Sequence, residues 1–160
     1  MRVEYVRGTP GYPEVLEDLA RPPATVFVGG GWPGVSAPRV AIVGSRRASE
    51  AAKRWTFQLA KDLGRAGCIV ISGGALGIDA AAHRGTLAGA GCTWVVLPGP
   101  IETPHPSSHR TLFEDVLRQD GAWLSVETQV GGRWSYVKRN QIVAALADIV
   151  VIAEAEPDSG

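Results

Sequence analysis

The sequence predicts an α/β protein, a Rossmann-like three-layer sandwich with a mostly parallel sheet of about five core strands. Short runs rich in valine and isoleucine lack polar alternation, which is typical of parallel strands buried on both faces. Stretches long enough for helices lie between these runs, and repeated strand–helix alternation gives a parallel sheet covered by helices. A length of 160 residues, with 45% hydrophobic and 20% charged residues, fits one such domain.

Five apolar runs are expected to form the core strands: Val40–Val43, Cys68–Ile71, Trp94–Leu97, Trp123–Val126 and Ile149–Ala153. Four helices are expected to accompany them: Ser49 to Ala66, Ile78 to about Ala88, about Ser107 to Arg118, and about Lys138 to Ala147. The first helix has the clearest boundaries, because Ser49 can cap its N-terminus and Gly67 can end it.

The two ends of the chain differ from this regular pattern. Residues 1–38 form a lead-in rich in proline and glycine, in which Thr25–Val28 is expected to be a short edge strand. Residues 39–160 are expected to form the Rossmann-like domain. The sequence stops at Pro157-Asp158-Ser159-Gly160, directly after a strand, where a parallel sheet normally continues with a covering helix. The chain is therefore expected to be a truncated piece.

Charge and cysteine content exclude several classes of protein. Sixteen Lys and Arg balance sixteen Asp and Glu, which excludes a polybasic tail and an acidic disordered domain. The longest mostly apolar stretch, Ile142 to Ala153, is interrupted by Asp148 and is too short to span a bilayer, so no membrane association is expected. Cys68 and Cys92 are expected to be buried, reduced thiols, which suggests the cytoplasm.

Two glycine-rich loops at neighbouring strand ends predict an anion site, since ligands of open α/β sheets bind outside the carboxyl ends of the strands. Gly44-Ser45-Arg46-Arg47 offers two guanidiniums for a phosphate. Ser72-Gly73-Gly74-Ala75-Leu76-Gly77 runs into a helix N-terminus, which favours an anion. Tight turns that need glycine only for their dihedral angles are the alternative. Neither loop has the spacing of a P-loop or a dinucleotide fingerprint, so no cofactor is expected.

A third candidate surface is the expected loop from Glu127 to Val137, followed by Lys138-Arg139-Asn140 at a helix start. Cations beside exposed aromatic side chains suit single-stranded nucleic acid, with Trp134 or Tyr136 stacking on a base. An arrangement in which the aromatic side chains pack on the sheet edge and the cations are merely solvated fits this segment equally well.

The histidines near these loops have open roles. Asp79 and His83 are four residues apart and share one helix face, which permits a general base with an orienting carboxylate. The favoured interpretation is an aspartate that hydrogen-bonds the preceding loop and a histidine held by packing. No cysteine or carboxylate is spaced to complete a metal site with His105 and His109, so no metal is expected.

Taken together, these segments resemble the DprA/Smf family, the DNA-processing proteins of bacterial natural transformation. The resemblance covers nearly the whole chain and is strongest from Ser72 to Gly85, whose sequence is SGGALGIDAAAHRG. Further similar segments follow the family's order: Val40 to Arg46, Pro106 to Phe113, Arg139-Asn140, and Glu154 with Ser159-Gly160.

The resemblance implies a non-enzymatic function. Family members bind and protect single-stranded DNA and help load the RecA recombinase onto it, so DNA and RecA are the implied partners, and a homodimer is considered. Gln141 stands where the family usually has a second arginine. The implied phosphate- and DNA-binding residues are Gly44, Ser45, Arg46, Arg47, Ser72, Gly73, Gly74, Tyr136, Lys138, Arg139 and Asn140.

Two other functions fit the same features. The fold and the Gly73–Gly77 loop also resemble the lysine-decarboxylase-like phosphoribohydrolases, which cleave nucleoside monophosphates. Leu97-Pro98-Gly99-Pro100 begins like the catalytic motif of those enzymes, but no Gly-Thr-x-x-Glu follows and Glu102 is out of register. The second alternative is a sensor module that holds a nucleotide derivative in the same pocket.

Overall fold

The computed structural model describes residues 2–31, 37–129 and 131–156. The strands of the described chain are β1 (Arg2–Val6), β2 (Thr25–Gly30), β3 (Arg39–Val43), β4 (Ile69–Ser72), β5 (Thr93–Val96), β6 (Ala122–Ser125) and β7 (Ile149–Ile152). The helices are α1 (Glu50–Arg65), α2 (Ile78–Ala88), α3 (Arg110–Arg118) and α4 (Arg133–Leu146). Short 3-10 turns occupy Glu14–Leu16 and Ser107–His109.

One sheet with the strand order β1-β2-β6-β5-β4-β3-β7 forms the centre of the molecule. The strands from β6 to β7 in this order are parallel, which confirms the predicted Rossmann-like fold class. Helices α1, α2 and α3 pack on one face of the sheet, while α4 and the lead-in pack on the other. All parallel strands therefore end at one rim, where the glycine-rich loops begin.

The lead-in extends the sheet with two antiparallel strands. β2 pairs with β6, and β1 pairs with the other side of β2. The edge position expected for Thr25–Val28 was therefore wrong, because β2 lies inside the sheet and β1 forms its edge. The sequence analysis did not predict β1, because Arg2 and Glu4 make this segment polar. Charged side chains of this kind are common on edge strands.

Helix α4 begins at Arg133, five residues before the predicted start at Lys138. The expected loop from Glu127 to Val137 was therefore wrong in its second half, and Val130 lies outside the described residues. Gly132 takes an extended conformation as the N-cap, so Trp134 and Tyr136 are helical. The physical reason is a buried helical stripe that continues upstream of the predicted start: Ser135, Arg139, Ile142, Val143 and Leu146.

Other sequence-based expectations have mixed outcomes. Cys68 and Cys92 are free thiols, but each is only half-buried, so the expectation of full burial was wrong. Within residues 2–31, 37–129 and 131–156, no helix is both long and apolar enough to cross a membrane. The Ser159-Gly160 match to the DprA/Smf pattern lies outside the described part of the chain.

Candidate functional site

The two glycine-rich loops are joined at the carboxyl ends of β3 and β4. The N–H of Ser45 donates to the carbonyl of Glu154 at 2.7 Å, and its carbonyl accepts from the N–H of Ile78 at 3.2 Å. A Cβ on Gly44 would lie 2.6 Å from the Glu154 carbonyl oxygen and 2.7 Å from Cγ1 of Ile78. Gly44 is thus required by the close packing of these segments, and a role in holding phosphate remains a prediction.

Arg139 is a buried cation behind the second loop. Its guanidinium lies against Gly73, where an added Cβ would overlap Nη1. Only 6% of Arg139 is exposed. Nη1 donates to Oδ2 of Asp79 at 3.4 Å, whereas Nε has no hydrogen-bond partner among the described residues. Because Nε is itself buried, a ligand in a cavity beside Arg139 would have to contact the terminal nitrogens of the guanidinium.

The electrostatics around Arg139 retain a positive charge in the site. Burial lowers the pKa of Arg139, the carboxylate of Asp79 opposes this effect, and nearby Arg46 lowers the pKa further. An arginine side chain nevertheless remains protonated in proteins. Two cations and one carboxylate are therefore close together, which leaves a net positive charge available to a phosphate.

Asp79 and His83 have structural contacts rather than the geometry of a catalytic pair. Oδ2 of Asp79 accepts from the N–H of Ala75 at 3.2 Å, so this aspartate hydrogen-bonds the loop before α2. His83 is fully buried, with Nδ1 2.8 Å from Oγ1 of Thr93. Desolvation by burial lowers the pKa of His83 to about 3, so the ring is neutral near pH 7. These contacts match the favoured interpretation of the two residues.

Arg46 and Tyr136 form the outer wall of the site. Cζ of Arg46 lies 4.9 Å from the centroid of the Tyr136 ring, in a cation–π contact. Arg46 is exposed and Tyr136 is half-buried. Because the guanidinium covers one face of the ring, a base can stack on that face only if Arg46 moves.

Arg46, Tyr136 and Arg139 line one pocket of about 150 Å³ at the carboxyl ends of β3, β4 and β5. It is named here the Arg46–Arg139 pocket. Of the predicted residues, the pocket brings together Arg46, Gly73, Tyr136 and Arg139. Sites for whole small molecules usually occupy roughly 300–1,000 Å³. The size of this pocket therefore suits a phosphate group better than a complete nucleotide.

Two further predicted residues, Ser72 and Gly74, have structural contacts within the fold. Ser72 is fully buried, and its hydroxyl donates to the carbonyl of Ile42 at 2.6 Å. Gly74 has a φ of +70°, and its carbonyl lies 3.0 Å from Nδ1 of His109. These groups hold the loop in place, and neither is among the residues that line the pocket.

Three other predicted residues are not among those that line the pocket. Arg47 and Asn140 are exposed. Nζ of Lys138 is 2.9 Å from Oε1 of Glu127, so this lysine pairs with the segment that follows β6. Their contact with a ligand remains a prediction.

Sequence reasoning missed the contribution of the loop after β5. Pro98, His105 and Pro106 line the pocket, and so does Leu76 from the second glycine-rich loop. The rule that identified the first two loops would also have found this one, because it follows the adjacent parallel strand. The sequence analysis considered a metal site for His105 and assigned it no part in phosphate binding. In the described ranges, no group of three or more His, Cys, Asp or Glu side chains could hold a metal ion.

Glu102, the acidic residue nearest to the phosphoribohydrolase-like sequence, lies away from this pocket. It forms an ion pair with Arg2 and lines a different cavity, together with Thr103 and Arg110. Its position gives no carboxylate for hydrolysis beside Arg46 and Arg139.

A family model described as DNA recombination-mediator protein A matches residues 5–160. The chain belongs to this family. Protein Smf of Synechocystis sp., one of the family's curated relatives, is 35% identical over 158 residues, which cover 94% of this chain. The match covers 39% of that relative, so the chain spans about two fifths of its length.

Solved structures of DNA processing protein A share the fold of this family member. The Helicobacter pylori protein, reported with its single-stranded DNA binding mode, has a TM-score of 0.87 and 27% identity. That match covers 99% of this chain and 71% of the solved chain. The Streptococcus pneumoniae protein also has a TM-score of 0.87 and 27% identity, over 98% of this chain and 56% of the solved one.

Proposed function

We propose that the chain binds single-stranded DNA and that the Arg46–Arg139 pocket holds a backbone phosphate. The observation that carries this proposal is the meeting of two guanidiniums in one small pocket, one of them largely buried. The single-stranded DNA binding of the Helicobacter pylori relative supports the choice of ligand. The predicted residues around the pocket, including Ser45, Arg47 and Lys138, belong to the same proposed surface.

The wider role follows from membership of a family of recombination mediators. We propose that binding is non-enzymatic, that it protects DNA taken up by the cell in the cytoplasm, and that it assists loading of the RecA recombinase. The neutral, buried His83 and the remote Glu102 support binding over hydrolysis. Release of free adenine on incubation with AMP would instead favour the phosphoribohydrolase alternative.

The salt dependence of oligothymidine binding tests the proposed pocket. On single strands, each neutralised phosphate contributes about −0.7 to the slope of log affinity against log salt. Arg46→Ala is expected to flatten this slope by about 0.7, because one phosphate contact is lost. Arg46 suits this experiment better than Arg139, since it is exposed and its removal leaves the buried ion pair intact.

Arg65→Ala is the matched control. Arg65 is an exposed arginine in the last turn of α1, pairs with Asp62, and lies outside the Arg46–Arg139 pocket. This variant has the same change in net charge and is expected to keep the wild-type slope. Equal slopes for the wild-type protein and Arg46→Ala would contradict the proposed site.

A further inference from the structure

A larger cavity, here called the α1–α2 groove, lies between helices α1 and α2. Its volume is about 640 Å³. The side chains that define it are Lys53, Arg54 and Phe57 of α1, Leu76 and Arg84 around α2, and His109. Lys53, Arg54 and Arg84 are cationic, and none of them lines the proposed phosphate site.

The lining of the groove is cationic. It includes Lys53, Arg54 and Arg84 but no aspartate or glutamate. Lys53 pairs with Glu50 at 2.6 Å, whereas the ion pairs recorded for the described residues include neither Arg54 nor Arg84. Both arginines are exposed to solvent. This surface therefore complements a polyanion.

The groove also offers apolar surface between its charges. Leu76 is 50% exposed and offers an aliphatic surface to the groove. Phe57 is half-buried and lines the same groove. Cations that follow a backbone, combined with apolar or aromatic surfaces for bases, are the features that bind single-stranded nucleic acid.

The groove adjoins the Arg46–Arg139 pocket, because Leu76 lines both cavities. We propose that the α1–α2 groove binds a second segment of the strand whose phosphate occupies the pocket. Phosphates contact Arg54 and Arg84, and a base lies against Phe57. This inference rests on the proposed function. The shared wall favours a continuous strand over an acidic peptide, which would have no need of the adjoining pocket.

Oligonucleotides of different length distinguish binding in the groove from binding in the pocket. Fluorescence anisotropy would compare labelled oligothymidines of about 4 and about 20 nucleotides, since only the longer strand can occupy both cavities. The double variant Arg54→Ala/Arg84→Ala is expected to keep wild-type affinity for the short strand. On the long strand its salt slope is expected to flatten by about 1.4, which corresponds to two lost phosphate contacts.

Arg65→Ala/Arg118→Ala is the matched double control. Both arginines are exposed, pair with a carboxylate on their own helix, and lie outside the groove. This control is expected to keep both slopes. If Arg54→Ala/Arg84→Ala kept the wild-type salt slope on the long oligonucleotide while Arg46→Ala flattened it, binding of DNA in the groove would be overturned. The proposed function would stand. Failure of the wild-type chain to bind either strand would overturn both.

Photo-crosslinking tests the base contact without altering the protein. A long strand that carries 5-iododeoxyuridine is expected to crosslink to the peptide containing Phe57, whereas a short strand is not. Absence of that crosslink from the long strand would overturn the placement of a base in the groove. An acidic peptide that fills the groove without displacing the long strand would assign the groove to a protein partner instead.

Discussion

Arg139 connects the stability of the fold to the charge of the candidate site. It is buried against Gly73, it pairs with Asp79, and it lines the Arg46–Arg139 pocket. A hydrophobic pair of similar volume can be as stable as a buried ion pair. Such a pair would supply no positive charge to the pocket. The buried Arg139 therefore contributes positive charge to the pocket as well as an ion pair to the fold.

Removal of the partner carboxylate is expected to destabilise the protein. Asp79→Asn leaves the Arg139 guanidinium buried without a compensating charge, and such a loss costs about 3–5 kcal/mol. The expected cost is at the lower end, about 3 kcal/mol, because asparagine can still accept from the Ala75 N–H. Urea unfolding, with slopes equal to that of the wild type, would measure the difference.

Two further variants make this prediction specific. Asp79→Asn/Arg139→Met removes both charges and is expected to recover most of the lost free energy of unfolding. Glu50→Gln breaks the exposed pair with Lys53 and is expected to cost less than about 1 kcal/mol. If Asp79→Asn cost no more than Glu50→Gln, the buried pair would not stabilise the fold.

At the residue scale, sequence reasoning identified the cations but not their surroundings. Arg46 and Arg139 follow glycine-rich or aromatic segments, so their positions in the sequence indicated a role in binding. The pairing of Arg139 with Asp79 spans 60 positions in the chain, and the cation–π contact of Arg46 with Tyr136 spans 90. No local pattern encodes such contacts, because the fold alone brings them together.

At the scale of secondary-structure elements, contacts made only in the folded chain again limit what the sequence predicts. The five predicted strands differ from their runs by at most one residue at each end. Strands β3 to β6 are apolar because they are mostly buried inside the sheet. The expected core position of Ile149–Ala153 was wrong, because β7 is an exposed edge strand. Strand β1 was missed because its charged side chains conceal it. The first turn of α4 was missed because two glycines and two aromatic residues favoured a loop in isolation, whereas packing of Ser135 and Arg139 makes it helical.

Helix α2 packs on β5 through a histidine in a defined tautomer. Oγ1 of Thr93 donates its hydrogen to the carbonyl of Val70 at 2.7 Å. Nδ1 of His83 must therefore donate to Thr93, which leaves Nε2 unprotonated and without a partner among the described residues. Protonation of Nε2 would create a buried charge with an unsatisfied donor.

This packing predicts a loss of stability on mild acidification. The pKa of His83 is about 3 in the folded chain, against about 6.5 when unfolded. Between these values the unfolded state binds more protons, so the free energy of unfolding falls as pH falls. The expected loss from His83 between pH 7 and pH 5 is about 2 kcal/mol, up to 1.4 kcal/mol per pH unit.

Urea unfolding of the wild type and His83→Gln at several pH values would measure this effect. Glutamine can also donate to Thr93, but it does not titrate. The variant is expected to lose stability more slowly than the wild type as pH falls from 7 to 5, a window above most carboxylate pKa values. Parallel stability curves for the two proteins would show that His83 does not cause the acid sensitivity.

At the scale of the whole molecule, the zero net charge of the chain does not prevent local positive charge beside the pocket and the groove. Arg7, Arg39 and Arg118 pair with carboxylates elsewhere on the surface. The ion pairs of the described chain do not include Arg46, Arg54 or Arg84, which line the pocket and the groove. A local positive field of this kind attracts a polyanion even when the total charge is zero.

The two edges of the sheet differ in their protection against self-association. Edge strand β1 carries Arg2 and Glu4, which form an ion pair with each other. Edge strand β7 exposes Ile149, Val150 and Ile152 at 61%, 45% and 66%. Charged side chains discourage edge-to-edge pairing, whereas an exposed apolar edge promotes it. Among the described strands, β7 is therefore the edge through which two copies of this 160-residue chain are expected to pair.

Sedimentation velocity over a range of protein concentrations would measure this self-association. Ile152→Lys places a charge on the exposed β7 edge and is expected to shift the wild-type chain towards monomer, because pairing of two such edges would bury the charge. Val6→Lys adds the same charge to exposed β1 and is expected to leave the association unchanged. A wild-type chain that stays monomeric at every concentration, or equal shifts for both variants, would contradict pairing through β7.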